Sequence, residues 1–148
     1  MSDFTITGGP ELDKRIEKLT NPDRQKILEE IAYNIVNADI HEDFFPNQHA
    51  PDGGAWTPLK ESTVKRRKGH TRTILQDTGK LKASVQVISV TPELAVVGVV
   101  SADSKSEVKA MVHNFGIGRP QRQFLGIRPD ALDRALKVIL KYLNVQNK

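Results

Sequence analysis

Cysteine is absent from this 148-residue chain, and aromatic residues make up only 5% of it. Without a thiol there is no disulfide framework, no cysteine nucleophile and no cysteine-ligated zinc or iron–sulfur centre. No apolar run comes near the ~18 residues a membrane span needs, and the opening MSDFTITGG lacks the basic-then-apolar layout of a secretory signal. A soluble protein made in the cytoplasm, with no membrane partner, is the expectation. The four histidines, His41, His49, His70 and His113, show no i, i+4 pairing, so neither a metal site nor a cofactor is expected. His113 stands between apolar neighbours and reads as partly buried with a satisfied hydrogen bond, whereas His49 and His70 read as solvated loop residues. Nucleophile-elbow, phosphate-loop and dinucleotide motifs are also missing. The carboxylate pairs Glu29-Glu30 and Glu42-Asp43 fall on helix positions that read as exposed. No catalytic residue is assigned, and the chain reads as a non-enzyme.

What the sequence does contain is concentrated positive charge. Between Trp56 and Lys82 stand eight Lys or Arg against two acids, a net +6 in a chain whose total is +4. Lys65, Arg66, Arg67, Lys68 and Arg72 form the densest part. They are candidates for phosphate contacts, for docking on an acidic protein surface, or for a solvated face beside a helix C-terminus. The aromatic platform of single-strand binders is lacking here.

Hydrophobic periodicity supplies the architecture. Residues 2 to 9 alternate at Phe4 and Ile6, as a short strand or arm would. Leu12, Ile16 and Leu19 make one helical stripe, and Asn21-Pro22 reads as a cap followed by a first-turn proline. A principal core helix is expected from Pro22 to Ile40, closed by Phe44-Phe45. The loop 46–55 carries the Pro51-Asp52-Gly53-Gly54 turn. Thr57-Pro58 reads as the start of a further helix ending near Gly69, and Asp77 or Thr78 as the cap of a helical turn over Lys80 to Ser84.

Val85–Thr91 and Leu94–Ser101 form a valine-rich hairpin, apolar on both faces, as in strands inside a larger sheet or against another subunit. Residues 102–107 read as a polar tip. Val108, Met111, Val112 and Phe115 give the apolar stripe of a helix ended by Gly116 and Gly118. Arg119 to Gly126 is irregular, with Arg119 and Arg122 as candidate subunit contacts. Pro129 opens a last helix to Leu143. The fold class is α+β: one domain spanning 1–148, with N- and C-terminal amphipathic helices packed on a small antiparallel sheet built around the hairpin.

The order of short signals carries a resemblance. Trp56-x-Pro58-Leu59 is followed by Leu75-x-x-Thr78-Gly79-x-Leu81-x-x-Ser84, by His113-x-Phe115-Gly116, and by Arg122-x-Phe124-Leu125-Gly126. From about Ile27 to Leu143 this series resembles the phage virion morphogenesis family, the tail-completion proteins of Mu-like and related tailed phages. Gly116-Ile117-Gly118 and Gln123 depart from the family's usual Gly-Gly and proline. The resemblance implies a structural protein of tail completion or head–tail joining, assembled in the bacterial host cytoplasm and located in the virion at the tail or head–tail junction. It implies a ring oligomer whose partners are other tail or head–tail junction proteins, and it implies no catalysis. Contact with DNA passing through the tail is an open role for the basic segment. A soluble nucleic-acid-binding protein using the segment 60–82 is the alternative, and an unmarked hydrolase or nuclease a distant third. Trp56, Leu59, Leu75, Leu81, Phe115, Phe124 and Leu125 are expected in the core, and Gly79, Gly116 and Gly126 at tight backbone positions.

Overall fold

The computed structural model describes residues 10–101 and 103–145. The expected strand or arm at Phe4 and Ile6, and the Leu12 side chain, lie outside what is described. Helix α1 (Pro10–Glu17) leads to Leu19, which is buried with Ile27 and Leu143. Helix α2 (Asn21–Ile31) is capped by Thr20, not by Asn21: the Thr20 hydroxyl accepts the Asp23 N–H, and Pro22 sits in the first turn.

Beyond Ile31 the backbone stays right-handed. It passes through two wide π-helical stretches, Ala32–Asn37 and Ile40–Phe44, into the short α3 (Phe45–Asn47), where Gln48 at φ 56° ends it. The helix is thus longer than the expected Pro22–Ile40. Phe44 and Phe45 belong to its last turns and are wholly buried.

Gln48 organises the loop that follows. Its carbonyl accepts the Trp56 N–H and its side-chain oxygen accepts the Ile74 N–H. Residues 57–60 have no regular secondary structure and helix α4 is Glu61–Arg66, so Thr57-Pro58 does not open it. The physical reason is a competing partner: the carbonyls of Thr57 and Pro58 accept bonds from the Arg122 guanidinium. A 3₁₀ turn over Lys68–His70 follows, with Gly69 at φ 76°. Helix α5 (Lys80–Ser84) is preceded by Gly79 at φ 72° with no side-chain cap, so neither Asp77 nor Thr78 caps it.

Strands β1 (Val85–Val90) and β2 (Ala95–Val99) pair antiparallel, with a bulge between Val87 and Ser89. Among the described residues this is the whole sheet, and Ile88 and Leu94 are left exposed. The two-faced valines therefore belong to no larger sheet among the described residues.

Helix α6 (Ser104–Phe115) begins within the stretch read as a polar tip, because the Asp103 carboxylate accepts the Ser106 N–H at 2.7 Å. Gly116 in the left-handed region ends it. Helix α7 (Ala131–Val145) starts two residues after Pro129 and lies chiefly against α2. The first π stretch of the long helix lies between α7 and both strands. Arg134 bridges to Asp39 and Arg128 to Asp43, tying the α7 end to the long helix. The protein is an α+β domain in which the C-terminal helix reaches the hairpin mainly through the long helix.

The main core gathers Ile40, Phe44, Phe45, Trp56, Ile74, Val85, Ala110 and Phe124. Phe45 meets Trp56 edge-on and Phe124 at a tilt, with ring centroids 5.7 and 5.5 Å apart. Trp56 Nε1 donates to the Gln123 carbonyl at 2.9 Å, so the indole's polar end is satisfied where it is buried. A second group beside α7 joins Leu19, Ile27 and Leu143, and a third joins Ile35, Ala131 and Ala135.

Candidate functional site

Helix α6 and the segment after it build both surfaces with functional character. Ala110 and Asn114 face the core. Asn114 Oδ1 accepts the N–H groups of Phe124 and Leu125 at 3.1 and 2.9 Å, and the Gln121 side chain donates to the Asn114 carbonyl. The irregular strand 119–126 is thereby laced along the end of α6. Gly116 permits the approach: a Cβ there would stand 2.8 Å from Gln121 Cβ.

On the outer side of α6 the expected core stripe is exposed. Val108, Met111 and Phe115 are 57%, 54% and 64% accessible, and Ile117 just beyond is 55%. Phe115 is therefore a surface residue. The amphipathic pattern was read correctly as a face, but the α6 core contact is made by Ala110 and Asn114, whose small or polar side chains no periodicity count would select. A shallow apolar depression of about 180 Å³ lies beside it, lined by Val99, Met111, Phe115 and Leu125 among others.

The other side of α6, roughly opposite by helical geometry, presents Ser106, Lys109 and His113 to a cleft of about 560 Å³. The segment 57–60, Arg67 of the α4 exit, the 75–78 turn, the start of α5 and the 118–122 turn close it. Arg122 is 7% exposed and donates from Nε to the Thr57 carbonyl at 2.9 Å and from Nη2 to the Pro58 carbonyl at 3.2 Å. Its partners are neutral, and burial together with the charges of Arg119 and Arg67 pushes its pKa down. As a buried, internally bonded side chain it does not project as the subunit contact expected; Arg119 remains exposed.

His113 is half-buried, and its Nδ1 is buried without a hydrogen-bond partner among the described residues, contrary to the satisfied histidine expected. Burial first, then Arg119, Arg122 and Lys109, lowers its pKa to about 4.

The basic run fares differently from its sequence reading. Arg67 turns inward, donating to the Thr73 carbonyl with Asp77 3.8 Å from its Nε. Arg72 is held by Glu61 at 2.6 Å, and Arg66 donates back to the Ser62 carbonyl. Lys65 and Lys68 are exposed and have no partner among the described residues. Instead of one contiguous basic patch, the chain gathers Lys60, Arg67 and Lys80 of the basic segment with distant Lys109, Arg119 and Arg122, which the charge density did not single out.

The remaining motif residues serve the fold. Leu75 lies in the main core, with Leu59, Leu81 and Leu125 packed against it. Ser84 Oγ donates to the Leu81 carbonyl at 2.6 Å, and Thr78 is exposed on the cleft rim. A Cβ on Gly126 would lie 2.5 Å from Pro51 Cγ. His49 is not a solvated loop residue: Nε2 lies 2.9 Å from Asp43 Oδ1 and Nδ1 2.7 Å from the Ala50 carbonyl. Asp43 is correspondingly half-buried rather than exposed. Among the described residues no cluster of His, Asp and Glu could hold a metal, and no helix is long and apolar enough to cross a membrane.

No curated protein and no solved structure matches the chain. The family model of phage virion morphogenesis proteins matches residues 11–144. That family points to a structural, non-enzymatic role in building phage virions, in company with other virion proteins. With nearly its whole length matched, the chain belongs to the phage virion morphogenesis family.

Proposed function

We propose that the whole chain, 1–148, acts as a single tail-completion domain that finishes the tail or joins it to the head, docking on neighbours as a homo-oligomeric ring. The observation that carries this reading is the exposed apolar face of α6, where Val108, Met111, Phe115 and Ile117 stand together in water. Exposed large apolar residues at helical spacing are costly in an isolated subunit and ordinary at a subunit contact. A head-to-tail contact that repeats with a closing rotation yields a ring. The working place of such a ring is the tail or the head–tail junction of the virion.

Native mass spectrometry of the purified protein over a range of concentrations, together with complementation of an assembly-defective phage, tests the reading. A closed oligomer lost on Phe115→Ser, with loss of complementation, supports it. A strict monomer whose Phe115→Ser form still completes tails overturns it. The alternative, nucleic-acid binding through the segment 60–82, is weakened by the internal engagement of Arg66, Arg67 and Arg72.

A further inference from the structure

The cleft on the inner side of α6 carries more positive charge than the chain itself balances. Six cations reach it: Lys60, Arg67, Lys80, Lys109, Arg119 and Arg122. Among the described residues only one acid lines it, Asp77, and that carboxylate already faces Arg67. Buried guanidinium groups are normally met by carboxylates or phosphates, yet Arg122 at the floor meets two backbone carbonyls. Burial first, and after it the charges of Arg119, Arg122 and Lys109, lowers the pKa of His113, so three of these cations bear on the same ring.

The walls indicate what kind of anion fits. Pro58, Leu59, Leu75, Leu81 and Pro120 line the cleft between the cations, so the surface alternates charge with apolar area. A cavity of about 560 Å³ admits a few side chains, while a DNA duplex meets proteins on raised cationic surfaces or with an element inserted in its groove. Among the described residues no Phe, Tyr or Trp lines the cleft to stack a base. We propose that this cleft binds a short acidic segment of a partner protein, its carboxylates meeting Arg122, Arg119 and Lys109 and its apolar side chains lying on Leu59, Leu75 and Leu81. Because the cleft and the outer face of α6 point in roughly opposite directions, the two contacts are separable.

The test uses the full chain and a fluorescent peptide of alternating glutamate and leucine, read by anisotropy and by NMR of the His113 ring. Binding is expected to weaken steeply with salt. It is expected to fall roughly tenfold or more in the double variant Lys109→Gln, Arg119→Gln, where one side of the charge pairing is lost, and to be unchanged in Lys65→Gln, Lys68→Gln, outside the cleft. The His113 ring should titrate at higher pH with peptide bound, since added carboxylates offset the neighbouring cations. Equal binding of the glutamine–leucine peptide would remove the charge argument. Tighter binding of a labelled single-stranded or duplex oligonucleotide, lost in the same double variant, would assign the cleft to nucleic acid instead. No perturbation of His113 at millimolar peptide overturns the proposal outright. Native mass spectrometry of the double variant separates the two readings, because an unchanged oligomer leaves the ring standing whichever way the peptide result falls.

Discussion

The side-chain oxygen of Asn114 accepts two consecutive backbone N–H groups, those of Phe124 and Leu125, and so fixes an irregular strand to the end of a helix. Asn114→Ala leaves both donors without this acceptor in a buried setting. A loss of about 2–4 kcal/mol follows if neither finds water. Urea unfolding of the variant checks it, and a loss under about 1 kcal/mol would show that the strand is held otherwise.

Stability should depend on pH through His49. Its two ring nitrogens face acceptors, the Ala50 carbonyl and the Asp43 carboxylate, and these raise its pKa in that order of importance. A raised folded-state pKa means that the folded form holds the proton more tightly. The contribution is therefore complete below the ordinary value of 6.5 and is lost as pH rises through the folded value. Asp43 runs the other way: hydrogen bonds from Asn47 first and then His49 lower its pKa, so its contribution is present above 3.8 and lost as pH falls through the folded value. Urea midpoints measured across pH in the native protein and in His49→Gln should differ most on the acidic side of neutrality. Parallel curves at all pH values would count against the pairing.

Phe115→Ser should leave the fold intact, within about 0.5 kcal/mol, because the ring lies on the surface of the single chain. Circular dichroism melting at low concentration checks this. A drop of several kcal/mol would mean that Phe115 is covered in the folded subunit.

Two glycines separate steric from conformational demand. Gly126 has no room for a Cβ beside Pro51, whereas Gly79 has open space but a φ of 72°. Gly126→Ala should cost about 1–3 kcal/mol by overpacking. Gly79→Asn should be milder than Gly79→Val, since Asn tolerates the left-handed region and a β-branched residue does not. Equal costs for Asn and Val at position 79 would show that the φ does not matter.

Much of this fold was legible because periodicity and turn chemistry are local. The stripe of α7, the hairpin, the Pro51–Gly54 turn and the glycine that ends α6 all stand where their residues point. The misreadings come from what tertiary structure does or does not bring to a residue. Thr57-Pro58 has the look of a helix start, yet Arg122, some 65 residues away, takes the carbonyl of Thr57. The stripe Val108, Met111 and Phe115 has the spacing of a buried face, but it is exposed, and none of the described residues buries it. Arg67 and Arg72 look free in a basic run until the Thr73 carbonyl and Glu61 are brought to them. The cleft was invisible because its cations come from four separate stretches, and charge density along a chain does not record convergence in space.

The wide π turns of the long helix give its two ends different duties. Before the first of them Ile27 faces the group at α7; after it Ile40, Phe44 and Phe45 face the core around Trp56 and Phe124. An i to i+5 turn takes in one residue more than an α turn, so every later side chain lags by about 100° the place an uninterrupted α-helix would give it. The stretch Ala32–Asn37 is thus a phase shifter: closing its wide turn to the α form without removing a residue would do more than lengthen the helix. It would swing the phenylalanines out of register with the core they close, while leaving the composition and the apolar content of the helix almost untouched.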